Sequence, residues 1–178
     1  MNIEFKRHAL HYECIVAKFP FHKEIKSTLL SLINNTQSDF LDNGLLSDWS
    51  FRNSEERNVS YFDFFFSKAK DFYNQLFNQV FKINDQTGLV SISHNFWFQK
   101  YSENGNHPIH FHGTSDFSSV YYLDLPNNDS TVFYNQFYDN YQTVNASEGD
   151  IIIFPSIFLH TSLPSSQKTI IAINFDLK

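Results

Sequence analysis

The chain has 178 residues, 18% of them aromatic and 18% charged, and a net charge of −6. At that length one domain is expected, large enough to bury a core without disulfides or a structural metal. An acidic balance with no run of Lys or Arg makes nucleic acid the least favoured partner, since its binders normally carry a basic patch.

The segment Met1 to Pro20 is interrupted by Glu4, Lys6, Arg7, His8 and Glu13, unlike a signal peptide. No apolar run approaches the roughly 18 residues that span a bilayer. The lone Cys14 has no partner for a disulfide and reads as a small buried hydrophobe in a reducing compartment. A soluble, cytoplasmic protein is expected. Tyr12 to Phe19 has the apolar density of a strand and stops at Pro20. Ile25, Leu29, Leu32 and Ile33 then repeat at helical spacing. Residues 34–59, rich in Asn, Ser, Asp and Gly, read as a long surface connection. Ser60 is placed as an N-cap, with Asp63 as an approximate capping-box partner. The helix that follows aligns Tyr61, Phe65, Ala69, Phe72, Tyr73, Leu76, Phe77 and Val80, a stripe that reads as core packing against a sheet.

After Gly88 the pattern changes to short strands with turns between them. Leu89 to Tyr101, His107 to His112, Phe117 to Leu125, Thr131 to Phe137, Ile151 to Phe154, Phe158 to Ser162 and Lys168 to Leu177 are the candidates. Residues 1–178 are therefore read as a single domain, with 1–88 a mostly helical lead-in and 89–178 a β core. The fold class is mainly β (α+β), an antiparallel barrel or double-sheet jelly roll. Its strand edges would be covered by the helices or by a second copy in a homodimer. Glu148-Gly149-Asp150 reads as a tight turn with both carboxylates in solvent. His8, His11, His22 and His94 lack partners at ligand spacing, and Trp49 and Trp97 read as packing.

The chemistry concentrates in three of the eight His. His110 and His112 lie two apart in a strand, so both rings project from one face and can reach one ion. His107 has the opposite parity, with Pro108 between, and is not expected to be a ligand. His160 follows the apolar run Ile151-Ile152-Ile153-Phe154 and supplies a third corner. Three protein ligands leave positions open, the arrangement of a catalytic metal, with Fe(II) or Zn(II) leading. Lys168 opens an apolar strand, where it faces either a carboxylate inside the barrel or solvent at the strand end.

The second half resembles the 2-oxoglutarate- and Fe(II)-dependent oxygenases, which are double-stranded β-helix enzymes. More narrowly it is similar to a small branch common in marine phages and bacteria. The abundance of Phe, Asn, Ile and Lys, as in AT-rich coding, suits such a viral or bacterial source. The residues that carry the resemblance are Asn95-Phe96-Trp97-Phe98-Gln99-Lys100-Tyr101, His107-Pro108-Ile109-His110-Phe111-His112, Ser118-Ser119-Val120-Tyr121-Tyr122-Leu123 and Gly149-Asp150-Ile151-Ile152-Ile153-Phe154-Pro155-Ser156. His160 and Lys168 through Asn174-Phe175 complete them. The resemblance implies a cupin-like barrel with the lead-in helices packed on one sheet. It implies His110 and His160 as the proximal and distal ligands of Fe(II), and Lys168 as the cation for the distal carboxylate of 2-oxoglutarate. Tyr122, and more weakly Tyr101, would bond the same carboxylate, as in prolyl-hydroxylase-like members. The implied reaction hydroxylates a C–H bond of a small-molecule or peptidyl substrate and releases succinate and CO2.

This chain departs from the family in two places. His112 stands where most members carry Asp or Glu, which leaves the site one charge more positive, with Asp116 as an alternative ligand. Lys168 stands where Arg is usual, a point charge in place of a bidentate fork, and Ile170 stands where a Ser or Thr often follows. A three-His metalloenzyme of another class (a cupin-like dioxygenase or a Zn hydrolase) and a non-catalytic barrel are the alternatives.

Overall fold

The computed structural model describes residues 13–41, 43–81, 90–91, 95–136, 139–164 and 166–177. His8, His11, Tyr12, His94 and Leu89, which carry expectations above, lie outside them. Among the described residues no helix is long and apolar enough to cross a membrane. The elements in chain order are β1 (Ile15–Lys18), α1 (His22–Asn34), β2 (Asp39–Leu41), β3 (Leu45–Ser47), a 3-10 turn (Trp49–Phe51), α2 (Ser60–Phe81), β4 (Val90–Ser91) and β5 (Phe96–Tyr101). They continue with β6 (His107–His110), β7 (Phe117–Asp124), β8 (Val132–Asn135), β9 (Asn140–Thr143), β10 (Asp150–Pro155), β11 (His160–Ser162) and β12 (Lys168–Leu177).

Two antiparallel sheets result. The large one runs β1-β10-β7-β12-β5-β3-β2, with β4 on β12, and the small one runs β6-β11-β8-β9. Alternation of side chains along each central strand divides the large sheet into two faces. Phe96 and Phe98 of β5, Tyr121 and Leu123 of β7, Ile151 and Ile153 of β10, and Ile171, Ile173 and Phe175 of β12 pack against the helices. Ile25, Leu29 and Ile33 of α1, and Tyr61, Phe65, Ala69, Tyr73 and Phe77 of α2, meet them in one buried cluster. Phe65 stacks on Tyr121 with ring centroids 4.8 Å apart, and Phe62 on Phe96 at 3.5 Å. The opposite face presents Tyr101, Val120, Tyr122, Ile152, Phe154 and Ile170 towards the small sheet.

Several local expectations are corrected. The stretch read as a surface connection contains the β2–β3 hairpin, which extends the large sheet by pairing Leu45 with Tyr101 and Ser47 with Gln99. Asn43 and Gly44 take positive φ at its tip, the conformation that these two residue types adopt most readily. The α2 helix begins one step earlier than read. Ser60 is already helical, and the Asn58 side chain accepts its N–H at 3.0 Å. Residues 140–143, outside every candidate strand, form β9. Glu148 is not simply solvated, because its carboxylate takes Lys26 at 2.8 Å and His22 Nε2 at 3.1 Å. His22 Nδ1 meets the Tyr121 hydroxyl at 2.8 Å, so this His ties α1 to the sheet. Gly149 has φ +84°, and a Cβ there would stand 2.7 Å from the His22 ring, which excludes any side chain.

A buried ion pair locks the lead-in to β5. Asp48, fully buried, accepts from Arg57 Nη2 at 2.6 Å, from the Tyr61 hydroxyl at 2.9 Å and from Phe98 N at 3.0 Å. Arg57 also donates to Phe96 O at 2.6 Å and lies 4.3 Å over the Phe96 ring. Three hydrogen-bonding partners around one carboxylate are what makes burying it tolerable.

Candidate metal centre

The cavity between the sheets is built from the face of the large sheet that turns away from the helices. Trp97, Gln99 and Tyr101 of β5, Ser118 and Tyr122 of β7, and Lys168, Ile170, Ala172 and Asn174 of β12 line it. The small sheet closes it with His107 and His110 of β6 and His160 and Ser162 of β11, and His112 comes in just past the end of β6. The pairing of His160 opposite His110 brings the first two ligand candidates face to face across neighbouring strands. The strand ends at His110, and the His112 backbone N–H donates to Ser156 O at 2.8 Å, which fixes the third.

One ligand atom from each of His110, His112 and His160 lies within 4.8 Å of the other two. The Nδ1–H of His110 donates to Pro108 O, and that of His160 to Phe158 O, both at 2.8 Å. Those bonds select the tautomer in which Nε2 carries the lone pair, the form a metal needs. Burial lowers the His160 ring to about 3, with repulsion from the neighbouring imidazoles added. Burial likewise holds His112 at about 4 and pushes His110 down. Neutral rings converging on one point therefore fit a divalent ion of the Fe(II) or Zn(II) kind.

His107 sits closer than its parity implies, with its ring centroid 4.1 Å from that of His110. The pairing shifts between His160 and Ser162, so that β6 advances three residues while β11 advances two, and the regular alternation fails there. Asp116 does not join the cluster. It is exposed on the turn after His112, with its backbone amide on Phe175 O and its carbonyl on Ser156 N.

The far end of the cavity is polar. Lys168 is 3% exposed, donates to Asp129 O at 2.6 Å and stands 5.0 Å from the centre of the Tyr101 ring. Burial lowers its ammonium to about 8, against the opposing pull of Asp129. The Tyr122 hydroxyl gives its proton to Thr131 Oγ1 and accepts from Thr131 N, both at 2.9 Å. The outward proton at that wall is therefore the Thr131 hydroxyl's. Tyr101 donates to Gln99 at 2.8 Å. Ser162, 8% exposed, lines the same cavity, and its hydroxyl interacts with no protein group but Tyr101 among those described. A buried hydroxyl with spare hydrogen-bonding capacity and a buried ammonium thus line one cavity, an arrangement that suits an anion's oxygens. Nothing in the sequence around Ser162 singles it out except its position two residues after His160.

The three-His end is flanked by aromatic rings. Trp97 lies 5.3 Å from the His112 ring, Trp49 lies 4.5 Å from Trp97, and the Arg52 guanidinium caps Trp49 at 4.0 Å.

Residues 95–176 match the family described as "Putative 2OG-Fe(II) oxygenase". An oxidoreductase of the 2OG-Fe(II) oxygenase family from Burkholderia pseudomallei has the same fold, with TM-score 0.68 and 10% identity over 92% of this chain and 84% of that one. A Pseudomonas putida prolyl-4-hydroxylase superposes at TM-score 0.62 and 14% identity, covering 94% of both chains. HygX from Streptomyces hygroscopicus, solved with nickel, 2-oxoglutarate and hygromycin B bound, gives TM-score 0.63 at 10% identity over 93% and 83%. No match was found among curated proteins. The likeness supports the double-stranded β-helix described above.

Proposed function

We propose, from the premise that the β core of this chain is that of a 2OG-Fe(II) oxygenase, that His110, His112 and His160 hold the iron and that the Lys168 end of the same cavity holds the 2-oxo acid. The observation that carries this reading is the pairing of two features in one enclosed space. Three imidazoles converge at one end, two of them with Nδ1 fixed to backbone carbonyls, and a buried ammonium stands at the other. A hydrolytic three-His site has no use for that cation. When bound, Fe(II) and 2-oxoglutarate supply the oxidising chemistry, with hydroxylation of a C–H bond and release of succinate and CO2.

The chain's own residues bind and orient. Lys168 neutralises the distal carboxylate as a point charge. Ser162 and Thr131 offer it hydroxyl donors from the small-sheet side, in place of the hydroxyl that Ile170 cannot give. Tyr122 holds Thr131 in position, and Tyr101 packs its ring under the ammonium. Trp97, Phe154 and Ala172 exclude water around the metal end. The substrate class is a small molecule or a peptidyl side chain.

Anaerobic addition of 2-oxoglutarate to the Fe(II)-loaded protein tests this. A visible charge-transfer band is expected, lost in His160→Ala and requiring far more 2-oxoglutarate in Lys168→Met. Tight metal binding without a band would instead favour a three-His enzyme of another class.

A further inference from the structure

His112 differs from its two partner ligands in what holds its Nδ1. His110 and His160 each give Nδ1–H to a backbone carbonyl. His112 instead faces a side chain, the Asn174 carboxamide of β12, with the amide nitrogen 3.3 Å from Nδ1. Asn174 is 3% exposed, and its Oδ1 accepts from Ser118 Oγ at 2.9 Å. Ser118 in turn meets Ser156 Oγ at 2.8 Å.

In this orientation the amide donates to Nδ1, so the ring proton sits on Nε2, the nitrogen left for an ion. That tautomer cannot ligate through Nε2. A half-turn of the amide exchanges its oxygen and nitrogen with almost no change of shape. The chain of bonds then runs the other way without losing a member. His112 Nδ1–H donates to Asn174 Oδ1, Asn174 Nδ2–H donates to Ser118 Oγ, and Ser118 donates to Ser156. No proton is gained or lost, since the ring stays neutral and its single N–H moves from Nε2 to Nδ1.

We propose that Asn174 is the positioning residue of the His112 ligand, its carboxamide oxygen taking the Nδ1–H so that Nε2 is free for the ion. The proposal rests on the reading of His112 as a ligand. It matters most in a site of three neutral imidazoles, where no carboxylate ligand strengthens the donor set and a hydrogen-bond acceptor behind the ring raises its basicity.

The test is a Co(II) titration of the full chain, read by the visible ligand-field bands and by affinity, without turnover. Wild type is compared with Asn174→Leu, Asn174→Asp and His112→Ala, each checked for folding by far-UV circular dichroism. Leu removes the acceptor, and the expected result is affinity about 10–100-fold weaker with shifted bands. Asp accepts but never donates at neutral pH, so affinity and bands close to wild type, or tighter binding, are expected. Wild-type binding in Asn174→Leu, or equal weakening in Leu and Asp, overturns the proposal. If the Leu variant does not fold, Asp decides: binding as poor as in His112→Ala overturns it, and wild-type or tighter binding upholds it. Undiminished Co(II) affinity in His112→Ala sinks the ligand reading itself, and the proposal with it. Loss in His112→Ala beside no loss in Asn174→Leu sinks the proposal alone.

Discussion

Lys168 is the residue whose chemistry depends most on its surroundings. Burial holds its ammonium at about 8, well below the ordinary Lys value. Only the protonated form pairs with a carboxylate. The sign follows directly: apparent affinity for 2-oxoglutarate is expected to be flat below about pH 7 and to fall as pH rises past 8. Titrations of the Fe(II) complex at several pH values measure this, and Lys168→Arg, which stays charged, should abolish the fall. An affinity that holds unchanged to pH 10 in the wild type would show that the ammonium does not meet the cosubstrate. At this scale the sequence was partly legible. His110 and His160 are visible, one in an HxH pattern and the other after an apolar strand, whereas His112 joins them from just past the end of β6, where the alternation that singled it out does not hold. His107, Ser162 and Asn174 were not. The first is displaced by a register shift, and the other two are ordinary polar residues whose surroundings come from strands far away in sequence.

At the scale of elements, the Asp48–Arg57 pair decides how the lead-in is fastened. Removing Arg57 leaves a fully buried carboxylate with only Tyr61 and the Phe98 amide as partners. Arg57→Leu is expected to cost about 3–5 kcal/mol, the usual loss when one member of a buried pair is deleted. Urea unfolding measures it, and a loss below about 1 kcal/mol would mean that the pair does not fasten the lead-in. Long helices and apolar strands were readable because each repeats its period over many residues. The β2–β3 hairpin was not, since three-residue strands are too short for a period to emerge. Its signal was nevertheless present in Asn43-Gly44 flanked by Phe40-Leu41 and Leu45-Leu46. The β9 strand is exposed along its whole length, so it carries no hydrophobic pattern to read.

For the whole molecule, the organising fact is that the large sheet serves two purposes on its two faces. Odd-numbered positions of β12 from Ile171 to Phe175 hold the helices, and even-numbered positions from Lys168 to Asn174 line the cavity. Composition alone could not separate them, because both sets sit in one apolar stretch. The same division places Trp97 on the cavity side, against His112, with Trp49 packed on it. These are the two Trp of the chain. Its entire indole fluorescence therefore arises beside the three converging His, so an ion held there as proposed would report its own occupancy optically. Co(II), with an open d shell, should darken that emission in proportion to loading up to one ion per chain. Zn(II), with a filled shell, should occupy the site and leave the light on. Emission that stays bright with one Co(II) bound would place the ion elsewhere.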